Sequence, residues 1–243
     1  AWRWRPATVA GPLRNAGRHH QACAVLQTEP YKGGYPSLES LYPAAGTPNA
    51  SVSLHIISLA SAVSQQVELS GNWEYLNTVS WNSAGLIAQT QTRNQKQIDV
   101  HSIDASTGKA TIVFTDTDEA WVELVPGVPA LQQDGTLITC ADRDGSRRLL
   151  VNGSAVTPTT FQVRSVVSAG DSIVFMANDI NTPWEIDAWA YKNGSLQQVT
   201  QSHGVVSVSG TNKCYVSRIS TLDTERAQFI VHTTTTTHHI ASL

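Results

Sequence analysis

The stretch from Tyr75 to Asp116 constrains the fold most, because it holds four short strand-like segments in a row, each closed by a turn signal. The first segment, Tyr75 to Trp81, alternates by twos and stops at residues 82–85, an Asn-Ser-Ala-Gly cluster typical of tight turns. The others are residues 86–92, a segment around 98–101, and residues 110–115. The stretch therefore predicts a four-stranded antiparallel sheet, the unit of a propeller blade.

In the third of these segments, apolar Ile98 and Val100 alternate with polar Asp99 and His101. Successive side chains of a strand point to opposite faces, so the pattern predicts one buried face and one polar face. A single sheet of about 40 residues cannot bury both of its faces, so a propeller requires that the unit recur along the chain.

The unit does recur, as judged by the turn that follows its third strand. Clear turns lie at residues 104–108, at Asn152-Gly153 and at Asn193-Gly194, and weaker ones lie near Leu59 and His232. These turns are roughly 40 to 48 residues apart, a spacing typical of propeller blades. A β-sandwich with evenly spaced hairpins is the alternative. We predict an all-β fold, a β-propeller of four-stranded antiparallel blades with about five blades present, at residues 1–70, 71–116, 117–159, 160–201 and 202–243.

Charge and hydropathy argue against two classes of partner. The 243 residues hold 16 Lys and Arg against 19 Asp and Glu, without a basic run that could follow a nucleic acid backbone. No stretch approaches the ~18 apolar residues of a membrane span, and the first residues lack the charged-then-apolar pattern of a secretion signal. We therefore expect no nucleic acid partner and no membrane partner.

Three cysteines, Cys23, Cys140 and Cys214, leave one thiol unpaired under any disulfide pairing. Each falls in a predicted second strand among apolar neighbours, so we expect buried, reduced thiols. No Cys-x-x-Cys or His-x-x-x-His spacing occurs, and the pairs His19-His20 and His238-His239 are expected in solvent. We thus predict no metal, no cofactor and a reducing, cytoplasmic location.

Three other segments carry expectations of their own. Residues 29–50 are rich in Pro, Gly and Tyr, which predicts a long insertion in the first blade, too irregular for a long strand, and a candidate interaction surface. Residues 52–59 and residues 119–124 are each predicted to form a strand. The strand at residues 119–124 would begin the third blade, and residues 125–129 would interrupt that blade. Asp142 and Asp144 could bind a cation, but Asp side chains that cap their own turn are the favoured alternative.

Two polar motifs each allow two interpretations. Asn49, Asn152 and Asn193 begin Asn-x-Ser triplets, the acceptor pattern for N-glycosylation, but two of them coincide with Asn-Gly hairpin turns. We interpret them as turn signals. The threonine run from Thr233 to Thr237 is compatible with β structure, and it predicts either the outer strand of the last blade or a frayed tail.

Several runs resemble the propeller of the dipeptidyl peptidase IV-like serine peptidases. Residues 42–54, which begin Tyr-Pro-Ala-Ala-Gly-Thr-Pro-Asn, resemble the Tyr-Pro-x-Ala-Gly-x-x-Asn segment that leads into a blade strand of that family. Residues 2–6 resemble its Trp-Trp-Ser-Pro strand end, residues 142–145 its Glu-Arg-Asp-Gly turn, and residues 206–209 a strand near the propeller's end. The resemblance implies an eight-bladed propeller that precedes an α/β-hydrolase domain, with this chain spanning about the last five blades.

The resemblance also implies which chemistry this chain lacks. The family carries an aromatic and then a basic residue where Val125 and Pro126 stand, so a family-like extended substrate subsite is not expected. The family's acidic pair, which grips the free amino group of a substrate, would precede Trp2, and no Gly-x-Ser-x-Gly nucleophile elbow occurs among the 243 residues. We therefore predict no catalytic residue in this chain.

Two functions from different classes remain. The first is a non-catalytic propeller segment of a dipeptidyl or prolyl aminopeptidase, which gates and orients peptide substrates for an α/β-hydrolase domain elsewhere. The alternative is a free-standing propeller that acts as a protein-interaction scaffold. Five blades leave two unmatched apolar faces with exposed strand edges, so we predict an open arc that self-associates as a homo-oligomer. A closed ring of five blades, which would be a monomer, is the alternative.

Overall fold

The computed structural model describes residues 22–27, 38–43, 46–211, 213–233 and 235–240, with the backbone alone for the first two ranges. The predictions for residues 2–6 and for His19-His20 lie outside these ranges. The chain divides into two units, Ala1–Ser51 and Val52–Leu243. In the described part of the chain, no helix is long and apolar enough to cross a lipid bilayer.

The described residues of the first unit include one antiparallel hairpin. Strand β1 (Ala22–Gln27) pairs with β2 (Leu38–Pro43), from Ala22 opposite Pro43 to Gln27 opposite Leu38. Within residues 29–50, predicted to be too irregular for a long strand, Leu38–Pro43 thus forms a strand of six residues. Pairing with β1 satisfies the backbone groups of this segment despite its Pro- and Gly-rich surroundings, and the proline falls at the strand end, where it is tolerated.

The second unit is a series of antiparallel sheets in chain order. Its strands are β3 (His55–Ile57) and β4 (Ser64–Gln66); β5 (Tyr75–Asn82), β6 (Gly85–Gln91), β7 (Gln97–Ile103) and β8 (Ala110–Thr117); β9 (Ala130–Leu131), β10 (Leu137–Arg143), β11 (Ser146–Val151) and β12 (Ser154–Ala155); β13 (Phe161–Ala169), β14 (Ile173–Asp179), β15 (Thr182–Lys192) and β16 (Ser195–Gln198); and β17 (Val205–Gly210), β18 (Cys214–Ser220), β19 (Gln228–Thr233) and β20 (Thr237–Ile240). One parallel pair, Ile186 with Val205, joins β15 to β17. Strand β20 pairs with β19, so the end of the threonine run leads into an outer strand.

Neighbouring sheets share their apolar cores. Leu86 and Ile87 point to opposite faces of β6, and both are buried. Leu86 packs with Leu54 from the β3–β4 side, whereas Ile87 packs with Leu137 of β10. A β-sandwich would leave one face of each sheet in water, so burial of both faces excludes that alternative. The prediction of an all-β propeller built from four-stranded antiparallel blades is confirmed.

The polar face predicted for β7 is also buried, contrary to expectation. Asp99 is 4% exposed and His101 is fully buried, because a neighbouring sheet covers that face as well. The Thr90 hydroxyl lies 2.9 Å from His101 Nε2, and Thr115 Oγ1 donates to Asp99 Oδ1 over 2.6 Å. Burial lowers the pKa of His101, although the Asp99 carboxylate acts in the opposite direction.

Two predicted strands are shorter or absent. Of residues 52–59, only His55–Ile57 forms a strand, because its partner β4 has just three residues. Residues 119–124 form no strand. The Asp118 carboxylate accepts the backbone N–H groups of Ala120 and Trp121, at 2.7 and 3.1 Å, and this turn diverts the chain before a ladder can form.

The connections between successive sheets define one end of the second unit, which we call the crossover end. A sheet of four antiparallel strands takes in and releases the chain at the same end, so residues 118–129, 157–160 and 199–204 all lie there. Backbone hydrogen bonds fix these connections to the hairpin turns beside them, from Asp118 N to Lys96 O at 3.0 Å and from Ile180 N to Thr160 O at 2.8 Å. The opposite end carries hairpins such as Asn152-Gly153 and Asn193-Gly194.

Candidate functional site

The connection at residues 118–129 is the most irregular part of the crossover end, and its backbone is well anchored. Val122 N donates to Gln95 O over 2.7 Å, and the Gln91 side chain donates to Val122 O over 3.3 Å. Trp121 projects from this connection with 59% of its surface exposed, and its indole N–H donates to Glu123 Oε2 over 3.3 Å. The connection thus presents an aromatic side chain to solvent from a fixed backbone.

The next residues turn inward. Val125 and Val128 are each 8% exposed and belong to the core shared by the β9–β12 and β13–β16 sheets. Pro126 O accepts a hydrogen bond from Val166 N over 2.9 Å. The two positions at which the resembled family places cavity-lining side chains therefore hold a core contact and a backbone contact. Sequence alone could not reveal this role, because an apolar residue beside Pro and Gly reads equally well as an exposed loop.

A second exposed aromatic, Trp184, stands at the crossover end on the β14–β15 hairpin. Trp184 is 68% exposed and Ile180, at the tip of the hairpin, is 69% exposed. The Asn178 amide donates to Pro183 O and Glu185 O, at 2.9 and 2.6 Å, and so fixes the strand on both sides of Trp184. Exposed aromatic side chains on a rigid backbone are typical of contact surfaces, because little entropy is lost when they bind.

An open groove lies beside the anchored connection. Its volume of about 490 Å³ is within the range of small-ligand sites, but every residue that lines it has a polar or charged side chain, whereas such sites are lined mostly by apolar residues. The lining residues are Asn72, Thr92, Asn94, Lys96, Gln97, Thr117, Asp118 and Glu119. These side chains can form hydrogen bonds with a polar ligand, whereas they offer little to an apolar molecule.

Acidic and basic side chains pair near this groove. Asp142 lies 3.3 Å from Arg147 and Asp144 lies 3.3 Å from Arg148. The expectation that these carboxylates cap their own turn is wrong, because nearby guanidinium groups compete for them successfully. Arg143 Nη1 lies 2.8 Å from Asp116 Oδ1, an ion pair without hydrogen-bond alignment that joins two sheets. In the described part of the chain, no three His, Cys, Asp or Glu side chains are grouped as metal ligands would be.

Among the residues that the structure describes, two histidines lie within hydrogen-bond distance of serine hydroxyls. His55 Nε2 is 3.1 Å from Ser53 Oγ and His55 Nδ1 is 3.3 Å from Ser64 Oγ, so hydroxyl groups occupy both ring nitrogens and leave neither for a carboxylate that would orient a catalytic base. Ser217 Oγ is 2.9 Å from His232 Nε2, and the imidazole stacks on the Tyr215 ring with centroids 4.5 Å apart. Ser217 is fully buried, so a substrate has no access to its hydroxyl. A nucleophile needs an approach path as well as a base, so this pair is a structural contact within the β17–β20 sheet.

The cysteines differ in their surroundings. Cys140 in β10 is buried and free, and burial raises the pKa of its thiol to about 12. Cys214, at the start of β18, is free but exposed, so the expectation that it is buried is wrong. The strand register places Cys214 on the same face as Arg218 and Phe229, opposite the face that packs on the β13–β16 sheet, and local apolar composition does not indicate which face is covered. The side chain of Cys23 lies outside the described residues.

Comparison with known proteins places this geometry in a family. Residues 22–226 match the family described as the dipeptidyl peptidase IV (DPP IV) N-terminal region. The dipeptidyl peptidase 4 of Porphyromonas gingivalis is similar to 86% of this chain, with a TM-score of 0.70 and 16% identity, over 32% of its own length. A protein assigned as a dipeptidyl aminopeptidase IV from Bacteroides ovatus is similar to 90% of this chain, with a TM-score of 0.62 and 16% identity, over 36% of its length.

An oligogalacturonate lyase, solved in complex with manganese, shares the fold more distantly. It has a TM-score of 0.52 and 14% identity over 78% of this chain and 59% of its own chain. Identities this low show a common fold and nothing about activity. The present chain spans about a third of the two peptidase structures, as their coverages of 32% and 36% show. Because the family match covers residues 22–226, the chain belongs to the dipeptidyl peptidase IV N-terminal region family.

Proposed function

We propose that this chain is the non-catalytic propeller segment of a dipeptidyl-type serine peptidase, and that it gates and orients peptide substrates for an α/β-hydrolase domain outside these residues. The family match over residues 22–226 is the observation that carries the proposal. The partners are then a peptide and the hydrolase domain. A cytoplasmic location remains part of the proposal, on the basis of the odd number of cysteines.

The crossover end is the surface that we assign to this role. It exposes Trp121 and Trp184, and it carries the polar groove beside Lys96 and Asp118. Polar groups that meet a peptide backbone, with aromatic side chains beside them, supply orientation without chemistry of their own. Positions 125 and 126 face the core and the Val166 backbone, so we place peptide contacts on Trp121 and Trp184 instead.

The first test uses the chain by itself. We expect no hydrolysis of a chromogenic Xaa-Pro substrate above that of a mock purification, because the sequence contains no Gly-x-Ser-x-Gly elbow. Turnover that co-purifies with the chain and stops with a serine-directed phosphonate would contradict the proposal.

The second test uses the full-length protein that contains this chain. Trp121→Ser and Trp184→Ser are expected to raise KM for peptides longer than a dipeptidyl chromogen, by about threefold to tenfold, and to leave kcat for the chromogen unchanged. Trp81→Ser is the matched control, since Trp81 is 45% exposed near the opposite end of its sheet. Equal effects of all three substitutions, or a full-length protein without an α/β domain, would instead favour the free-standing scaffold.

A further inference from the structure

Two Asn-Gly-Ser triplets occupy the same place in neighbouring sheets. Asn152-Gly153 joins β11 to β12, and Asn193-Gly194 joins β15 to β16. Both asparagines have positive φ, at 47° and 50°, and both glycines follow with φ near 80°, at 80° and 78°. These are two-residue hairpin turns with the same backbone and the same three residues. Any difference in their chemistry must therefore come from their surroundings.

The surroundings of the two asparagine side chains do differ. Asn152 Oδ1 accepts a hydrogen bond from Leu137 N over 2.8 Å, and Asn152 N donates to Leu137 O over 2.8 Å. One of these bonds holds the Asn152 side chain through Oδ1, and the other holds its backbone, so the turn and the side chain are both fixed to the start of β10. Asn193 is exposed, and no hydrogen bond holds its side chain among the described residues. Its amide carbon can therefore rotate about χ1 and χ2.

A freely rotating asparagine followed by glycine can react with its own backbone. The Gly194 nitrogen, after loss of its proton to hydroxide, attacks Cγ of Asn193 and forms the N–Cγ bond. Water donates a proton to Nδ2, the Cγ–Nδ2 bond breaks, Nδ2 leaves as ammonia, and hydroxide is regenerated. Water then opens the resulting cyclic succinimide at either carbonyl and gives aspartate or isoaspartate, with no oxidant or reductant. A Cβ built at Gly194 or at Gly153 would meet no atom within 4 Å, so the space beside the glycine is open in both turns and does not distinguish them. Bond formation requires Cγ to reach the glycine nitrogen, and a fixed side chain reaches it less often.

We propose that Asn193 is a spontaneous modification site, converted by water to aspartate and isoaspartate, and that the bond to Leu137 protects Asn152 from the same reaction. The isoaspartyl form adds a carbon to the backbone of a two-residue turn. The affected strand, β16, pairs with β15 over four residues, and its Leu196 packs against a buried core. Modification at Asn193 therefore weakens the attachment of this outer strand.

The test compares the two sites within one sample. The native protein is incubated at mildly alkaline pH and physiological temperature, and both turn peptides are followed by mass spectrometry and by enzymatic methylation of isoaspartate. We expect Asn193 to react about tenfold faster than Asn152, the factor that one ordinary net hydrogen bond represents. A second sample in concentrated urea is the control, and there the identical triplets should react at rates within about twofold of each other.

Each other outcome counts against the proposal. Equal native rates, or a faster Asn152, would show that the Leu137 contact does not protect. No reaction at Asn193 in the native protein, while both sites react in urea, would show that the hairpin itself prevents the attack.

Discussion

In three successive sheets a threonine hydroxyl bonds to the third strand, from within the outer strand in one sheet and from just beyond its end in the other two. Thr115 bonds to Asp99, Thr157 Oγ1 accepts from Leu149 N over 3.1 Å, and Thr200 Oγ1 donates to Asp187 Oδ1 over 2.8 Å. Each threonine follows an apolar residue, in the pairs Phe114-Thr115, Val156-Thr157 and Val199-Thr200. The dipeptide is not specific to outer strands, because Ile138-Thr139 in β10 is another example, so sequence alone could not use it to place them.

Asp187 gives a prediction about pH. Burial raises the pKa of this carboxyl, the Thr200 hydrogen bond opposes that, and Glu185 adds to it. The pKa of this carboxyl is ~4 in the unfolded chain and higher in the folded protein. Its contribution to the free energy of unfolding is therefore fully present below pH ~4, and it is lost as pH rises through the folded-state pKa. Asp187→Asn should therefore unfold at a higher urea concentration than the wild type at pH 7, and the difference should shrink toward pH 3.

Asp134 is the control for that experiment, because its shift has the opposite sign. The hydrogen bond from the Thr136 backbone lowers the pKa of Asp134 in the folded protein. The contribution of Asp134 to stability is therefore present above pH ~4, the pKa in the unfolded chain, and it is lost as pH falls through the folded-state pKa. Asp134→Asn should thus make the protein easier to unfold at pH 7. If Asp187→Asn and the wild type show parallel urea midpoints from pH 3 to pH 7, the assigned burial of Asp187 is wrong.

The two described thiols should react very differently. Cys214 is exposed, whereas Cys140 is buried with a pKa raised to about 12, and thiolate is the reactive form. In native protein we expect a maleimide to label Cys214 within minutes and Cys140 only after unfolding. Peptide mapping reads the two sites separately, and Cys214→Ser identifies the fast one. Labelling of Cys140 at the rate of Cys214 would contradict its burial.

At the scale of elements, the connection at residues 118–129 depends on one close approach. A Cβ built at Gly127 would lie 1.8 Å from Val166 O, whereas one at Gly135 would meet nothing within 4 Å. Both glycines have a φ of +87°, so alanine meets the same backbone strain at each. We expect Gly127→Ala to lower the free energy of unfolding by about 2 kcal/mol more than Gly135→Ala does.

Chemical unfolding of the two variants measures this difference directly. Equal losses would mean that the connection moves away from Val166 at little cost. If Val166→Ala restores the free energy of unfolding that Gly127→Ala lowers, then packing against the Val166 side chain, rather than contact with the Val166 carbonyl, causes the destabilisation.

The same connection shows why part of the structure could not be predicted from sequence. Strands β5 to β8 could be predicted, because alternation and turn residues lie within the segment itself. Residues 119–124 also alternate, yet hydrogen bonds to Gln95 and Gln91 and the Asp118 turn hold them outside any ladder. Gln91 and Gln95 are remote in sequence from the residues that they bind, and the Asp118 turn competes locally with strand pairing. Neither effect is visible in the pattern of residues 119–124. For the same reason the exposure of Trp184 and the burial of Val125 required the structure.

At the scale of the whole molecule, the β17–β20 sheet has one face that no described residue covers with a sheet. Val205, Phe229 and Ile240 on this face are 43%, 37% and 50% exposed. Four strands about 4.8 Å apart and about 20 Å long present about 400 Å², half of what each partner gives to a stable interface of ~800 Å². We propose that copies of this chain self-associate weakly through this face.

Light scattering behind a sizing column tests this over a hundredfold range of concentration. We expect dimers only at the upper end of the range, and Phe229→Glu should abolish them. Val113→Glu is the matched control, because Val113 is 49% exposed on the outer strand β8. A monomer at every concentration would contradict the open arc and favour a closed ring of blades.

The sharing of each apolar core between two sheets has a consequence for how such a chain evolves. Successive sheets pack on one another, and each contributes one apolar face to the sheet before it and the other to the sheet after it. A sheet inserted by duplication brings both faces with it, so every interface in the row of sheets stays complete. The stability of the row is then nearly a sum over neighbours, and the number of repeats can change without redesign of any one of them. Natural selection can therefore alter the diameter of such a protein by unequal recombination before a single core residue has to be replaced.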